Sequence, residues 1–151
     1  MLLNMEITCR ALIPCLVYHD APAAIDFLCR AFGFEKQVVY ADPAGPQIIH
    51  HAQLLLGQAM LMLNSAKDDP TQDSLRLRTP KQAGGVTACL AATLAESELD
   101  AHYLRAKAAG AEIVRELHAN QGYPGRSYNA RDPEGYDWDF GTYDPWAPHT
   151  S

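Results

Sequence analysis

Side chains able to bind metals or move protons are spread thinly along this 151-residue chain. Six histidines include one adjacent pair, His50-His51. Neighbours on a strand point to opposite faces, so this pair cannot chelate one ion as an i, i+4 helical pair can. In His51-Ala52-Gln53-Leu54, alternation puts His51 and Gln53 on one face, where both can touch a ligand. His19 and His118 are placed near strand ends, and His102 on a helix surface. The cysteines, Cys9, Cys15, Cys29 and Cys89, form no Cys-x-x-Cys pair, which suits buried free thiols better than a zinc ribbon or a redox centre. Tyr136, Trp138 and Phe140 alternate with Asp137 and Asp139, so an aromatic face packs inward and two carboxylates share the other side. Met60 and Met62 share a face with Asn64 while Leu61 and Leu63 pack behind. Arg126, beside Gly125 and on the face of Tyr128, suits an acidic partner in the fold or in a substrate. No Gly-x-Ser-x-Gly elbow or phosphate loop is present.

These residues depend on the elements that carry them. Residues 9–18 are apolar and β-leaning and read as a buried opening strand, with Pro14 at an edge or bulge and Cys15 and Val17 facing inward. Asp20 caps a helix whose apolar face is Ala24, Ile25, Phe27, Leu28, Ala31 and Phe32, with Pro22 in its first turn and Gly33 as its stop. Strands over 34–41, 47–56 and 59–64 follow. Residues 65–83 are polar and form a linker. A strand from Gly84-Gly85 through 94 precedes a helix over 97–109, which offers Leu99, Tyr103, Leu104, Ala106 and Ala108 for packing. Strands over 112–118, 125–131 and 136–142 close the chain, with Asp132-Pro133-Glu134-Gly135 turning between the last two.

Eighteen acidic against twelve basic residues give a net charge of −6, which argues against a nucleic-acid binder that tracks phosphates. No run approaches the ~20 apolar residues of a membrane helix, and the first ten residues do not read as a signal peptide. A cytoplasmic protein without membrane or nucleic-acid partners is expected.

The order strand-helix-strand-strand-strand occurs twice. Gly33 and Gly110, both helix stops, stand 77 apart, as do Met62 and Asp139. The expectation is an α+β fold of two tandem βαβββ modules. Module one spans 9–64, the linker 65–83 and module two 84–144, within one domain over 9–144.

Asp20-Ala21-Pro22-Ala23-Ala24-Ile25-Asp26-Phe27-Leu28 with Ala31-Phe32-Gly33-Phe34-Glu35 resembles the first module of the glyoxalase/bleomycin-resistance/extradiol-dioxygenase (vicinal oxygen chelate) superfamily. Asp100-Ala101-His102-Tyr103, Arg105 through Val114, and Asp132-Pro133-Glu134-Gly135-Tyr136-Asp137-Trp138-Asp139-Phe140 are similar to its second. The resemblance implies curved mixed sheets forming a cup with helices outside, commonly in a homodimer. It also implies, in metal-using members, a divalent ion held by His, Gln or Glu from the first and fourth strands of each module. The residues fail that demand. The opening strand has no His, Gln, Asp or Glu. The glutamate position of module one falls on Met62, and residues 85–94 again lack a His or acid. Asp139 alone survives.

The expectation is therefore a protein without a metal or cofactor, holding a small hydrophobic or cationic compound in its cup without turnover. Cys15, Val17, His51, Gln53, Met60, Met62, Asp137, Asp139 and Arg126 would line the site. The alternative is a metal-dependent lyase, isomerase or dioxygenase with a relocated site, for instance from His51, Asp139 and a residue of another chain.

Overall fold

The computed structural model describes residues 7–148. Module one contains β1 (Cys15–Tyr18), α1 (Ala21–Phe32), β2 (Glu35–Ala41), β3 (Ile49–Leu56) and β4 (Ala59–Ser65). A 3-10 turn at Pro70–Gln72 and the short α2 (Pro80–Ala83) occupy the connection. Module two contains β5 (Leu90–Thr93), α3 (Glu96–Ala108), β6 (Glu112–Ala119), β7 (Arg126–Arg131) and β8 (Asp137–Gly141). The architecture is the expected α+β pair of βαβββ units, in two four-stranded mixed sheets ordered β1-β4-β3-β2 and β5-β8-β7-β6.

Both opening strands are shorter than expected. Residues 9–12 and Pro14 are exposed and only Cys15–Tyr18 pairs with β4. Pro14 brings no N–H to a ladder, and the chain parts from β4 there. In module two, Gly84 and Gly85 have φ of 77° and 149°, outside the strand region, and pairing begins only at Leu90. The polar connection is more structured than a linker. Thr79 and Gln82 form a reciprocal capping box on α2, where Gln82 also bonds Lys67 O at 3.0 Å.

α1 starts where the Asp20 carboxylate accepts the Ala23 N–H at 3.1 Å and stops at Gly33, whose φ is 80°. A Cβ at Gly33 would lie 3.3 Å from the Arg105 guanidinium, so the glycine lets α3 approach closely. α3 buries Leu99 and Ala106, whereas Leu104, expected to pack, is 62% exposed. Arg105 crosses to α1 and donates to the carbonyls of Cys29 and Arg30, both at 2.8 Å.

The helix-facing sides of the two sheets share one core, with α1 and α3 between them. Phe32 lies 5.4 Å from Trp138 and 4.8 Å from Phe140, and Phe34 lies 5.6 Å from Trp138. Both lie just before β2, on the far edge of its sheet from β1. The aromatic residues that end α1 therefore pack against the helix-facing side of the second sheet.

A polar seam pins the modules. Buried Asp132 accepts the Tyr18 hydroxyl at 2.7 Å and the Trp138 indole N–H at 3.1 Å through Oδ2. Its Oδ1 accepts the amides of Glu134 and Tyr136. Glu134 in turn accepts the amides of His19 and Asp20 at 2.7 and 2.9 Å. His102, expected on a helix surface, is half-buried instead. It donates from Nε2 to Phe32 O at 2.9 Å and accepts the Tyr128 hydroxyl at Nδ1 at 2.8 Å.

Candidate functional site

Equivalent positions of the two modules line up in cross-strand rows on the outward faces. In module one Cys15 pairs with Met62, Met62 with Gln53, and Gln53 with Val38. In module two Ala91 pairs with Asp139, Asp139 with Asn129, and Asn129 with Arg115. The repeat thus reaches individual side chains, and each first-strand residue sits beside the fourth-strand residue of its own module.

The module-one row is soft and largely apolar. Met60, Met62, His51 and Gln53 are half-buried on the face opposite Leu54, Leu61 and Leu63, while Cys15 is exposed at the sheet edge. Val17 shares the face of Cys15 but is only 2% exposed, which makes it wall rather than open contact. The His51 ring stacks on Tyr40 at 6.3 Å, and His50, on the other face, pairs with Asp42 at 3.1 Å.

The module-two row is polar. Burial pushes the Asp139 carboxyl above its ordinary range, against the opposing influence of His118, Arg115 and the Asn129 amide. A cavity of about 290 Å³ opens beside it, lined also by Ser127, Asn120, Tyr123 and Tyr143. The Ser127 hydroxyl donates to Asn120 Oδ1 at 2.8 Å and lies 3.5 Å from His118 Nε2. Gly141 faces Ser127 across the ladder, and a Cβ there would lie 3.1 Å from the Ser127 Cβ. Sequence reasoning missed Asn120, Ser127, Asn129, Arg115 and Tyr123. Alternation opposite Tyr128 carried the signal for Ser127 and Asn129. The others sit on an edge strand and a loop whose approach the sequence did not reveal.

Two expected residues are already engaged. Asp137 shares the face of Asp139, but Arg131 Nε donates to it at 2.8 Å while the same guanidinium reaches Glu112 at 3.1 Å. Arg126 does not face the outward surface at all. It lies on the helix side, as the core position of Tyr128 requires, where it donates to Glu96 at 2.7 Å and to Asp100 at 2.8 and 3.1 Å. The Thr142 hydroxyl and then Arg126 hold the Glu96 carboxyl below its ordinary range, Arg126 does the same to Asp100, and the two carboxylates raise the guanidinium further. Arg126 is therefore a pin between β7 and α3, not a ligand contact. The thiols also differ from expectation: Cys9, Cys15 and Cys89 are exposed and only Cys29 is half-buried. A hollow of about 1180 Å³ lies between the sheet edges, with Met60, Cys89, Ala91 and Trp138 among its walls and exposed Trp146 at its border.

Both outward faces carry their central positions in register, one soft and one acidic, which is the layout of a duplicated βαβββ scaffold. The chain belongs to the Glyoxalase/Bleomycin resistance protein/Dioxygenase superfamily, whose profile matches residues 11–140. It is 34% identical over 141 residues to the uncharacterized protein Mb0911c of Mycobacterium bovis, covering 93% of this chain and 86% of that one. Among solved structures, TioX from Micromonospora sp. ML1 is 32% identical with a TM-score of 0.63, covering 87% of this chain and 94% of that one. The fosfomycin resistance protein FosX from Listeria monocytogenes, crystallised with Mn(II) and sulfate, shares the fold at 20% identity and a TM-score of 0.62, covering 93% and 94%.

The superfamily's divalent metal can be tested against the donors in register. Cys15, Met62, Ala91 and Asp139 offer a thiol, a thioether, no donor and one carboxylate. Hard divalent ions want oxygen and imidazole donors, so this set does not fit them. His51 and Asp139 lie on different sheets, and among the described residues no three His, Cys, Asp or Glu side chains come together to hold an ion.

Proposed function

We propose that this protein binds a small amphiphilic compound, hydrophobic with a cationic or hydrogen-bond-donating group, in a metal-free cup and without turnover. The observation that carries the reading is the register of Cys15, Met62, Ala91 and Asp139, which leaves one hard donor where a metal site needs three or four. Methionines adapt to irregular apolar ligands, and a half-buried carboxylate in such a wall favours a cation or donor. Met60, Met62, Gln53 and His51 supply the apolar wall, and Asp139 with Asn129 and Ser127 supplies the polar end.

A second copy completes each cup. The soft and polar rows lie on separate sheets, and the soft half of one protomer faces the polar half of its partner. Leu12, 96% exposed, and Trp146, 86% exposed, border the hollow between the sheet edges and suit burial between copies.

The test is fluorescence anisotropy of the hydrophobic cation rhodamine 6G in EDTA, alongside the mass in solution by light scattering. Saturable binding by a dimer, weakened at least about tenfold by Met62→Lys, supports the reading. Binding that requires Mn(II) or Ni(II), or a monomer that binds as tightly as a dimer, overturns it.

A further inference from the structure

A third cavity, separate from both outward faces, lies at the seam between the modules. Its volume is about 240 Å³. One wall is α1, through Ala23, Ala24, Phe27 and Leu28, and the floor is Tyr18 beside Asp132. Leu28 and Tyr18 are 0% and 1% exposed, so the hollow reaches the core. Besides Asp132, two carboxylates, Asp20 and Glu134, lie in its lining, and no lysine or arginine does among the described residues.

The floor has no unmet polar demand. The Tyr18 hydroxyl is spent on Asp132, and all four hydrogen bonds to Asp132 come from within the fold. An apolar hollow of this kind does not need water to satisfy it, and a cavity of about 150 Å³ accepts benzene. Here there is room for one aromatic ring and a short arm. Charge decides what the arm carries. Glu134 accepts two backbone amides and Asp20 caps α1 through Oδ1, so both carboxylates are held in place where the arm would emerge.

The geometry points to a binding site for an arylalkyl ammonium ion, its ring between Phe27 and Tyr18 and its ammonium on Glu134 and Asp20. The ring gains apolar burial and aromatic contact, and the ammonium gains charge-assisted hydrogen bonds at a partly desolvated mouth. The seam is also where the β7–β8 turn grips β1. An occupant would therefore touch both modules and stabilise their docking by linkage.

Benzylamine and its neutral isostere benzyl alcohol are the probes, followed by NMR chemical shifts and thermal midpoint. Benzylamine is expected to saturate at one equivalent per chain, with the largest shifts at Ala23, Phe27 and Glu134, and to raise the midpoint. Benzyl alcohol is expected to bind at least about tenfold weaker. Ala23→Leu narrows the hollow from an exposed helical position in its lining that tolerates leucine, and should weaken binding at least about tenfold while the unliganded protein unfolds as before. Asp68→Asn, an exposed acid in the connection between the modules, should leave the seam shifts intact. Absence of seam shifts, equal binding of the neutral isostere, unchanged seam shifts in Ala23→Leu, or their loss in Asp68→Asn would each overturn the assignment.

Discussion

Replacing Asp132 by asparagine tests the seam that fixes the direction of both outward faces. The carboxylate is 3% exposed and accepts four hydrogen bonds, two at each oxygen. Asparagine keeps Oδ1 for the amides of Glu134 and Tyr136, but sets an NH2 group against the two donors at Oδ2. The Tyr18 hydroxyl can turn and accept. The Trp138 indole cannot, and its N–H is left facing a donor inside the core. Losing a charge-assisted bond costs about 1.5–3 kcal/mol and stranding a buried donor about 1–3 kcal/mol. Removing a carboxylate whose pKa burial has raised offsets part of this. The expected net loss is about 3 kcal/mol, or roughly 6–12 °C in a domain of this size. Urea unfolding and calorimetry read it directly. Trp138→Phe in the same background removes the stranded donor, so the double variant should lose less than the two single losses combined. An Asp132→Asn protein within about 0.5 kcal/mol of the parent would refute the account of the seam.

Three further outcomes follow from the same geometry. Burial holds the His102 pKa below its ordinary value, so below about pH 6.5 the unfolded chain takes up a proton that the folded one resists. Stability should fall as pH drops through that window, and His102→Gln should flatten the slope of thermal midpoint against pH; an unchanged slope contradicts the assignment. Burial raises the Asp139 carboxyl, so rhodamine 6G binding should weaken with acidification from above the ordinary aspartate range, and Asp139→Asn should remove that pH dependence in anisotropy titrations. Arg126→Gln should leave rhodamine 6G affinity unchanged and only loosen α3 against β7, seen as faster amide exchange around Glu96 and Asp100; a lost ligand would return Arg126 to the cup.

Much of the fold was legible because each signal was local. Asp20, Pro22 and Gly33 bracket α1 through capping chemistry, and alternation in Met60–Asn64 and Tyr136–Phe140 separates core from outward face. The 77-residue spacing of Met62 and Asp139 anticipated a correspondence that the strand registers carry to neighbouring residues. What stayed hidden depends on approach between distant segments. Arg126 shares a face with Tyr128, and the face became the helix side only once Glu96 and Asp100 came to meet it. His102 lay on a helix with a weak apolar stripe, so nothing local announced its burial between Phe32 and Tyr128. Ser127, Asn120 and His118 come together around the cavity beside Asp139 through the β6–β7 hairpin, and no short spacing marks that meeting.

The most direct test of the metal-free cup is elemental analysis of the untagged protein after dialysis against excess Mn(II) and Ni(II), followed by gel filtration. The donor set predicts less than about a tenth of an equivalent of either ion per chain. Retention near one equivalent, lost in Asp139→Asn, would contradict it and place metal-dependent chemistry at this site.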